Sequence, residues 1–421
     1  MVKRNFLTSL DQERYRIVRV IGRQAQKLGL KAYLVGGIVR DLILKRPNLD
    51  LDIAVEGDNF ALVARMAKLL KARPVIHQVY KTATLYDKKG RRIDFAGARW
   101  ETYARPGALP TVRAGSLKDD LLRRDFTVNA LALSIHPDSF GALIDVCGGL
   151  EDLSKGRIRV FHDKSFIDDP TRILRAVRFE ERLAFRLEAK TKKLLQEALN
   201  KRAYLTVTAP RYFVEFKKIL MEDDPCAPLQ RLLRLNAVQI AGVTIRPRWE
   251  RLKVLYNRMK QLKTYSFYRN YERWWLLYLM AVLEDVQTGS LKRLLKEIQI
   301  KKEYEKAILV SQEAARIKKT LSKKILTNSQ IYKILKKYPS DTILYVHACA
   351  SHDRVHQRIE RYLKDLCRMS LRISGHDLKR LGVPSGQRIG FVLKEVLYRK
   401  MDSNLRTKSQ ELKAAKEFVL R

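Results

Sequence analysis

The chain has 421 residues, and its 85 lysines and arginines exceed its 45 acidic residues, which gives a formal net charge of +40. This length is more than one ordinary core requires, so we expect two to four domains. The charge is far larger than solubility requires and indicates a polyanionic partner. No apolar run of roughly 18 residues and no signal peptide is found, which argues against a membrane protein and predicts a cytoplasmic location.

The first part of the chain alternates between helical and strand-like spacing of apolar residues. The predicted helices are 7–28, 38–44 and 60–70, and the predicted strands are 32–35, 50–55, 75–86 and 92–98. The segment 97–116 is rich in glycine, proline and arginine and lacks a regular period, so it is predicted to be a mobile loop beside the sheet. These elements predict a small mixed sheet with flanking helices.

From about residue 166 onward, strand patterns disappear and segments with helical spacing follow one another. The predicted helices there include 172–183, 189–199, 211–221, 249–263, 274–283 and 389–397. The fold class is therefore α+β, with a sheet-containing head followed by helical domains. We expect domain boundaries near residues 150, 225 and 370.

Two acidic residues in one predicted strand are the first candidates for chemistry. Asp50 and Asp52 are two residues apart, so a strand presents both carboxylates on one face. Close carboxylates repel each other unless a cation lies between them, and Mg²⁺ is the usual cation for such oxygen ligands. Considered alone, two acids with this spacing are more often a solvated strand edge or a turn.

A double glycine precedes this pair at the junction of a predicted strand and helix. Gly36 and Gly37 lack side chains that would keep a phosphate away from the backbone, and a helix N-terminus favours negative charge. Arg40 follows one turn later as a possible phosphate ligand. A third acid, Asp94, lies on the next predicted strand, which makes the constellation more specific than a structural glycine turn.

Together these segments resemble the class II tRNA nucleotidyltransferases and bacterial poly(A) polymerases, a branch of the polymerase-β-like nucleotidyltransferases. The resemblance covers about residues 30–220 in order and spacing. It is carried by Leu34–Asp41 with Asp50–Asp52, by Asp94–Arg99, by Arg123–Ala130, by Asp168–Arg172 and by Ile173–Phe179.

The resemblance implies roles for these residues. Asp50 and Asp52 would bind two Mg²⁺ ions, and Asp94 would orient or deprotonate the primer 3′-hydroxyl. The triphosphate and ribose would be held by Gly36, Gly37, Arg40, Arg123, Arg124 and Asp125, with Asn129, Arg175 and Arg178 also in the nucleotide-binding set. Without the resemblance, Arg123, Arg124 and Asp125 fit a surface ion-pair cluster, and Asn129 fits a turn cap. Arg211 and Glu215 match a family helix whose role is structural.

Asp169 and Arg172 are predicted to read the nucleobase. On a helix they are three residues apart and project together, offering an acceptor beside a donor. That pair matches the Watson–Crick edge of cytosine or adenine, whereas uracil and guanine present a carbonyl to the carboxylate. An ordinary surface ion pair is the alternative. Family members usually carry glutamate at the position of Asp168, which leaves the supporting role of this acid open.

The predicted function is template-independent addition of CMP and AMP from CTP and ATP to the 3′ end of tRNA. The alternatives are an enzyme that adds only A or only CC, a poly(A) polymerase, or an RNA-binding protein on an inactive head. The predicted domains are a catalytic head (1–150), a helical neck (151–225), an RNA-binding body (226–370) and a tRNA-binding tail (371–421). No obligate protein partner is inferred.

An aromatic group in the body is predicted either to grip RNA or to pack in a core. Its members are Tyr265, Phe267, Tyr268, Tyr271, Trp274 and Trp275.

Overall fold

The computed structural model describes residues 5–47, 50–87, 89–237, 239–240, 242–265, 268, 271–403 and 405–419. The chain divides into two compact units, one formed by residues 1–219 and 230–237 and the other by residues 220–229 and 238–421. None of the helices in the described part combines the length and the apolar character that a membrane crossing requires. The four-domain division stays a prediction.

The first unit contains a mixed sheet and the helices around it. Its strands are β1 (Lys31–Val35), β2 (Leu51–Glu56), β3 (Arg73–His77), β4 (Thr82–Tyr86), β5 (Arg92–Gly97), β6 (Arg99–Thr102), β7 (Thr111–Ala114), β8 (Leu131–Ser134), β9 (Leu143–Asp145), β10 (Arg157–Ile158) and β11 (Arg186–Leu187). Its helices are α1 (Gln12–Lys27), α2 (Gly37–Ile43), α3 (Asn59–Leu70), α4 (Leu117–Leu122), α5 (Gly149–Ser154), α6 (Ser165–Asp168), α7 (Thr171–Leu183), α8 (Ala189–Asn200) and α9 (Ala209–Leu220).

Helix α1 shows how the local sequence sets these boundaries. The Asp11 side chain caps the helix by accepting a hydrogen bond from the Arg14 amide. Ile17, Val18 and Ile21 are buried at helical spacing. The helix ends before Gly29, whose φ of +67° suits the left-handed position that follows a helix.

The main sheet has the strand order β3-β4-β5-β2-β1-β8-β9. Strands β2 and β5 are parallel neighbours at its centre, and the other neighbouring pairs are antiparallel. The apolar side chains of β2 and β5 are buried, among them Ile53, Val55, Ile93 and Phe95. This burial fixes the register of the two strands, because a shift by one residue would turn their polar side chains into the core.

The segment 97–116 is not the irregular loop that its composition predicted. Strands β6 and β7 form an antiparallel hairpin in which Arg99 pairs with Ala114 and Thr102 pairs with Thr111. Only the connection between them, residues 103–110, lacks regular structure. The hairpin is short, and its prolines and glycines hide the alternating pattern of its strands.

The second unit is helical, as predicted, apart from two-residue strands. Its elements begin within α10 (Cys226–Arg234), which the two units share, and continue with β12 (Gln239–Ile240), β13 (Val243–Thr244), α11 (Trp249–Leu262), α12 (Trp274–Leu283), α13 (Thr288–Glu297), α14 (Lys302–Ser311), α15 (Ala314–Leu321), α16 (Asn328–Leu335), α17 (Ser340–Ala348), α18 (Asp353–Lys364), α19 (Gly375–Arg380), α20 (Gln387–Ser403) and α21 (Lys408–Val419). Residues 275–283 of α12 are all buried, so this helix lies at the centre of the unit.

Candidate active site

Two carboxylates face each other across the parallel strands β2 and β5. Asp52 and Asp94 are direct register partners in this pair. Burial and the negative charges of Asp94 and Asp50 together raise the pKa of Asp52 to about 6, against the opposing effect of Arg124. This repulsion shows that the three acids predicted from the sequence lie close enough to interact.

Asp50 itself does not lie on the strand. β2 begins at Leu51, so Asp50 occupies the position just before it and is exposed. The prediction that both acids belong to one strand was therefore wrong by one residue. Asp94 is held on β5 by the Thr84 hydroxyl, which donates to Oδ1 at 2.5 Å, and by the Arg92 guanidinium, 2.8 Å from Oδ2.

The double glycine forms the turn between β1 and α2. Gly36 has φ +80°, and a Cβ at this position would lie 2.7 Å from Nη1 of Arg124 and 3.7 Å from Oδ2 of Asp52. Only glycine therefore fits between the acidic strand and Arg124. Gly37 begins α2 directly after this turn.

A cavity of about 740 Å³ lies between these elements and α7 and α9. It gathers the predicted site residues other than Asp94, which lies beside it as the strand partner of Asp52. The lining includes Gly36, Gly37, Arg40, Asp50, Asp52, Arg123, Arg124, Asp125, Asn129, Asp169, Arg172, Arg175 and Arg178.

Arg40 is more deeply buried than a phosphate ligand needs to be. It is 3% exposed, and its guanidinium donates to Asp41 Oδ1 at 2.8 Å and to Asn129 Oδ1 at 2.6 Å. Its guanidinium also lies 5.1 Å from the ring centroid of Phe179. Arg40 and Asn129 thus join α2 to the turn after Asp125, and their roles toward a nucleotide stay predictions.

Arg123 and Arg124 share one buried acid. Asp120 is 1% exposed, its Oδ1 accepts from Arg123 at 2.5 Å, and its Oδ2 accepts from Arg124 at 2.9 Å. Arg123 also lies 2.9 Å from Glu101 on β6. Both arginines are thus ion-paired, but with Asp120 and Glu101 and not with Asp125 as the sequence alternative had it, and they line the cavity.

Asp125 links the sheet to the helical part of the unit. Burial alone would raise its pKa, yet the charge of Arg175 and the hydrogen bond from Asn129 outweigh burial and lower the pKa to about 2. Arg175 reaches it with two nitrogens, at 2.9 and 2.5 Å. Asp125 is therefore ionised at neutral pH and holds Arg175 in the cavity wall.

Asp169 and Arg172 come together, but not on one helix. Asp169 follows α6 in an extended conformation with φ −131° and ψ 90°, whereas Arg172 is the second residue of α7. Pro170 explains this, because the residue before a proline is driven out of the helical region. The main-chain amide of Arg172 still donates to the carbonyl of Asp169 at 3.0 Å, so the turn keeps the two residues adjacent.

The Arg172 guanidinium is fixed by buried partners. It is 5% exposed, and it donates to the hydroxyl of Ser165 and to the carbonyl of Arg123. Two of its N–H groups are thereby used, and further donors of the planar fork remain for a ligand.

Sequence reasoning missed a second group of lining residues. Arg211 was expected to be structural, yet it lines the cavity and lies 3.4 Å from Oδ1 of Asp169. Tyr103 and Arg182 also line it and carried no predicted role. These side chains come from the hairpin connection and from two helices, so no local motif unites them.

The carboxylates alone form only part of a binding site for a divalent cation. In the described residues, no group of three or more His, Cys, Asp or Glu side chains is arranged to hold a metal ion. Asp50 and Asp52 nevertheless supply hard oxygen donors, and besides burial the raised pKa of Asp52 reflects repulsion by Asp94 and Asp50 that a cation would relieve. The set fits Mg²⁺ if phosphate oxygens of a nucleotide complete it.

Comparison with known proteins agrees with this geometry. Residues 32–159 match the Poly A polymerase head domain. The chain is 32% identical to a solved CCA-adding enzyme in its apo form II, with a TM-score of 0.78 over 97% of this chain and 96% of that one. The chain belongs to the class II tRNA nucleotidyltransferases. The resemblance stated from the sequence and the fold class are therefore confirmed.

Two further relatives are similar to this chain over most of its length. The Thermotoga maritima CCA-adding enzyme complexed with tRNA is 31% identical, with a TM-score of 0.72 over 98% of both chains. An A-adding tRNA nucleotidyltransferase of Geobacter sulfurreducens is 32% identical over 407 residues, which are 95% of this chain and 46% of that protein. The chain spans about half the length of the curated relatives it matches.

Proposed function

We propose that this nucleotidyltransferase adds CMP and AMP from CTP and ATP to the 3′ end of tRNA in the cytoplasm. One observation carries the proposal: the acids Asp50 and Asp52 and the pair Asp169 and Arg172 line the same cavity. The first pair suits the phosphoryl-transfer end of a nucleotide and the second suits its base. A single bound nucleoside triphosphate can therefore contact both.

The acids act on the reacting phosphate. Asp50 and Asp52 would hold Mg²⁺, which when bound supplies positive charge to the triphosphate and to the attacking hydroxyl. Asp94, beside Asp52, orients the primer 3′-hydroxyl for in-line attack. Arg124 lies over the glycine turn and offers positive charge next to the triphosphate, and Arg178 adds charge to the same wall.

The base is selected by complementarity. The Asp169 carboxylate accepts from the exocyclic amine of cytosine or adenine, and Arg172 donates to the neighbouring ring nitrogen. With uracil or guanine the carboxylate faces a carbonyl, which costs roughly 1–3 kcal/mol for an unpaired buried group. The protein thus replaces a nucleic-acid template.

The helical unit would bind the tRNA. The net charge of +40 exceeds what the cavity needs to hold one triphosphate, and such an excess supports binding of a long polyanion. The Thermotoga maritima relative solved with tRNA supports the same choice of partner.

Addition of A alone is the second candidate. The observation that favours it is the Geobacter sulfurreducens relative named as A-adding, which aligns with 95% of this chain. The segment 99–122 is as long as the flexible loop of family members that add the terminal A, which argues against an enzyme that adds only CC.

The test uses purified protein with Mg²⁺, radiolabelled CTP or ATP, and three tRNAs that end at the discriminator base, at C and at CC. Completion of all three ends supports CCA addition. Growth of the CC-ending tRNA only, with no incorporation of CMP into the other two tRNAs, supports the A-adding candidate. No incorporation into any of the three tRNAs would refute both.

A further inference from the structure

The sheet face that carries Asp94 continues beyond this acid to the edge strand β3. In one row of register partners, Asp52 on β2 lies opposite Asp94 on β5, which lies opposite Thr84 on β4, which lies opposite Val75 on β3. Neighbouring strands are about 4.8 Å apart, so the row extends roughly 10 Å past Asp94. Val75 at its end is 47% exposed. The reaction centre therefore opens onto an uncovered stretch of sheet.

A second row of register partners lies beside the first. Arg92 on β5 lies opposite Tyr86 on β4, and Tyr86 lies opposite Arg73 on β3. Arg92 precedes Asp94 by two residues, so the side chains of both rows point to the same face of the sheet. We call Arg92, Tyr86 and Arg73 the basic row. It begins next to Asp94 and ends at the edge of the sheet.

The two faces of these strands differ in exposure. Leu85 and Ile93 are 0% exposed on the face that packs against α3. In the basic row, by contrast, Tyr86 is 49% exposed, the Arg92 side chain is 51% exposed and Arg73 is exposed as well. An accessible ring between two guanidinium groups suits single-stranded nucleic acid, because the ring stacks on a base and the cations meet phosphates.

Arg92 connects the basic row to the acids. Its Nε lies 2.8 Å from Oδ2 of Asp94. The planar guanidinium carries further donors, which can bind a phosphate while Nε stays on the carboxylate. A phosphate held there lies beside Asp94. This is the place required for the phosphate that precedes a 3′-hydroxyl positioned by Asp94.

We infer that the basic row binds the single-stranded 3′ end of the RNA, with phosphates at Arg92 and Arg73 and a base stacked on Tyr86. The inference rests on the proposed function, because it takes Asp94 as the acid that meets the primer 3′-hydroxyl. None of the three residues lines the cavity that holds the nucleotide-binding set. The incoming nucleotide and the RNA end can therefore be bound at the same time.

The first test measures binding and needs no turnover. The affinity of the full chain is compared for a tRNA ending in CC and for the same tRNA trimmed to its last base pair. We expect Tyr86→Ser to weaken binding of the CC-ending tRNA about tenfold and to leave binding of the trimmed tRNA unchanged. Tyr86→Phe keeps the ring and should bind both RNAs like the parent.

Two results of this experiment would overturn the inference. One is an unchanged affinity of Tyr86→Ser for the CC-ending tRNA. The other is an equal loss for both RNAs, which would assign Tyr86 to the fold or to the double-stranded part of the tRNA. The thermal unfolding temperature of each variant should stay within a few degrees of the parent, because the replaced side chain is half exposed.

The arginine at the edge of the sheet provides a matched pair of variants. Arg73→Met should weaken binding of the CC-ending tRNA and lower the slope of log affinity against log salt concentration by about one, since one phosphate contact is lost. Arg65→Met is the control, because Arg65 is exposed on α3 at the opposite side of the sheet. Equal slopes in the two variants would contradict a phosphate contact at Arg73.

Photocrosslinking locates the RNA end directly. A tRNA carrying 4-thiouridine at one of its last two positions is irradiated on the protein, and we expect a crosslinked peptide that contains Tyr86. Crosslinks confined to the helical unit would overturn the inference. So would a change in sedimentation of the RNA-free protein caused by Tyr86→Ser, because the row would then be a contact between two copies of the chain.

Kinetics separate the inference from the proposed function. In Tyr86→Ser, KM for the CC-ending tRNA should rise about tenfold while KM for ATP stays unchanged. A parent protein that incorporates no nucleotide refutes the proposed function, and the binding experiment still decides whether the basic row holds an RNA end. A parent that incorporates nucleotides, with an unchanged KM for tRNA in Tyr86→Ser, refutes the inference alone.

Discussion

The two compact units bury different kinds of side chain. In the sheet-containing unit, several buried polar and charged residues line one cavity, namely Arg40, Asp41, Asp125, Asn129, Arg172 and Glu215. In the helical unit the centre is apolar and aromatic, and the buried Asp341, His347 and Glu411 each contact a partner, namely Tyr271, Tyr268 and Lys400. Buried charge is costly unless it is paired. The concentration of paired buried charge around one cavity therefore makes this cavity the candidate active site.

In the helical unit, buried aromatic side chains pack against each other. Tyr268 is 1% exposed and stacks on Trp274 with ring centroids 5.3 Å apart. Trp275 is also buried. Core packing therefore explains these members of the group, and Phe267 lies outside the described residues. The buried members of the group are therefore not accessible to RNA.

The largest expected effect is on catalysis. Asp50→Ala should lower nucleotide incorporation by about 10³-fold or more, because it removes a metal ligand, and it should leave tRNA affinity unchanged. Incorporation assays and filter binding of tRNA measure the two quantities. Asp138→Ala is the matched control, since this exposed acid lies in the same unit away from the cavity. Turnover that survives in Asp50→Ala would refute the metal assignment.

The next effect concerns the stability of the cavity wall. Arg175→Met leaves Asp125 buried and ionised, so we expect the free energy of unfolding to fall by about 2–4 kcal/mol. Urea denaturation measures this change. The exposed pair of Lys190 and Asp163 gives the control, because Asp163→Asn should change stability by less than about 1 kcal/mol. If the two variants lower the free energy of unfolding equally, the ion pair at the cavity contributes no more to stability than the exposed pair.

A smaller effect should appear in the helical unit as a pH dependence. Burial and the nearby His356 lower the pKa of His347 to about 4, below its value of about 6.5 in an unfolded chain. The unfolded state therefore binds the proton more strongly, and stability present above pH 6.5 is lost as the pH falls toward 4, by roughly 1–3 kcal/mol. Tryptophan fluorescence reports this unit, since Trp249, Trp274 and Trp275 all belong to it.

The control for this titration is a second histidine. In His347→Gln the loss of stability between pH 6.5 and 4 should shrink, whereas it should persist in His352→Gln, which changes an exposed side chain. The same slope in both variants would assign the titration to other groups.

The smallest expected effect is that of Gly36→Ala. Its comparison with a control variant separates the cost of a positive φ from the cost of crowding against Arg124. Gly36→Ala should destabilise the protein by about 1–2 kcal/mol and raise KM for ATP, because the new methyl group meets Arg124. Gly29→Ala is the matched control, since its φ is also positive but no atom lies within 4 Å of the added carbon. If KM rises equally in both variants, the contact with Arg124 does not matter.

Much of the candidate site was accessible from the sequence because its signals are local. Each signal is formed by residues that are close in sequence. These signals are the strand before Gly36, the acids Asp50 and Asp52, and the pair Asp169 and Arg172. Pro170 also indicates that Asp169 precedes the helix, which the prediction of one helix for Asp169 and Arg172 did not take into account. The connection from Arg211 to Gly107 spans 104 residues of sequence, and no periodicity or local propensity encodes such a contact.

The pairing of β2 with β5 connects the hydrophobic core to the proposed metal site. Asp52 lies opposite Asp94 only because Leu51 and Ile53 lie opposite Ile93 and Phe95 in the same ladder. Buried apolar residues thus set the distance between the two carboxylates proposed to act in catalysis. The packing of this ladder and the proposed catalysis therefore depend on the same distance between Asp52 and Asp94. Substitutions that change the volume of Ile53, Ile93 or Phe95 are expected to change the catalytic rate.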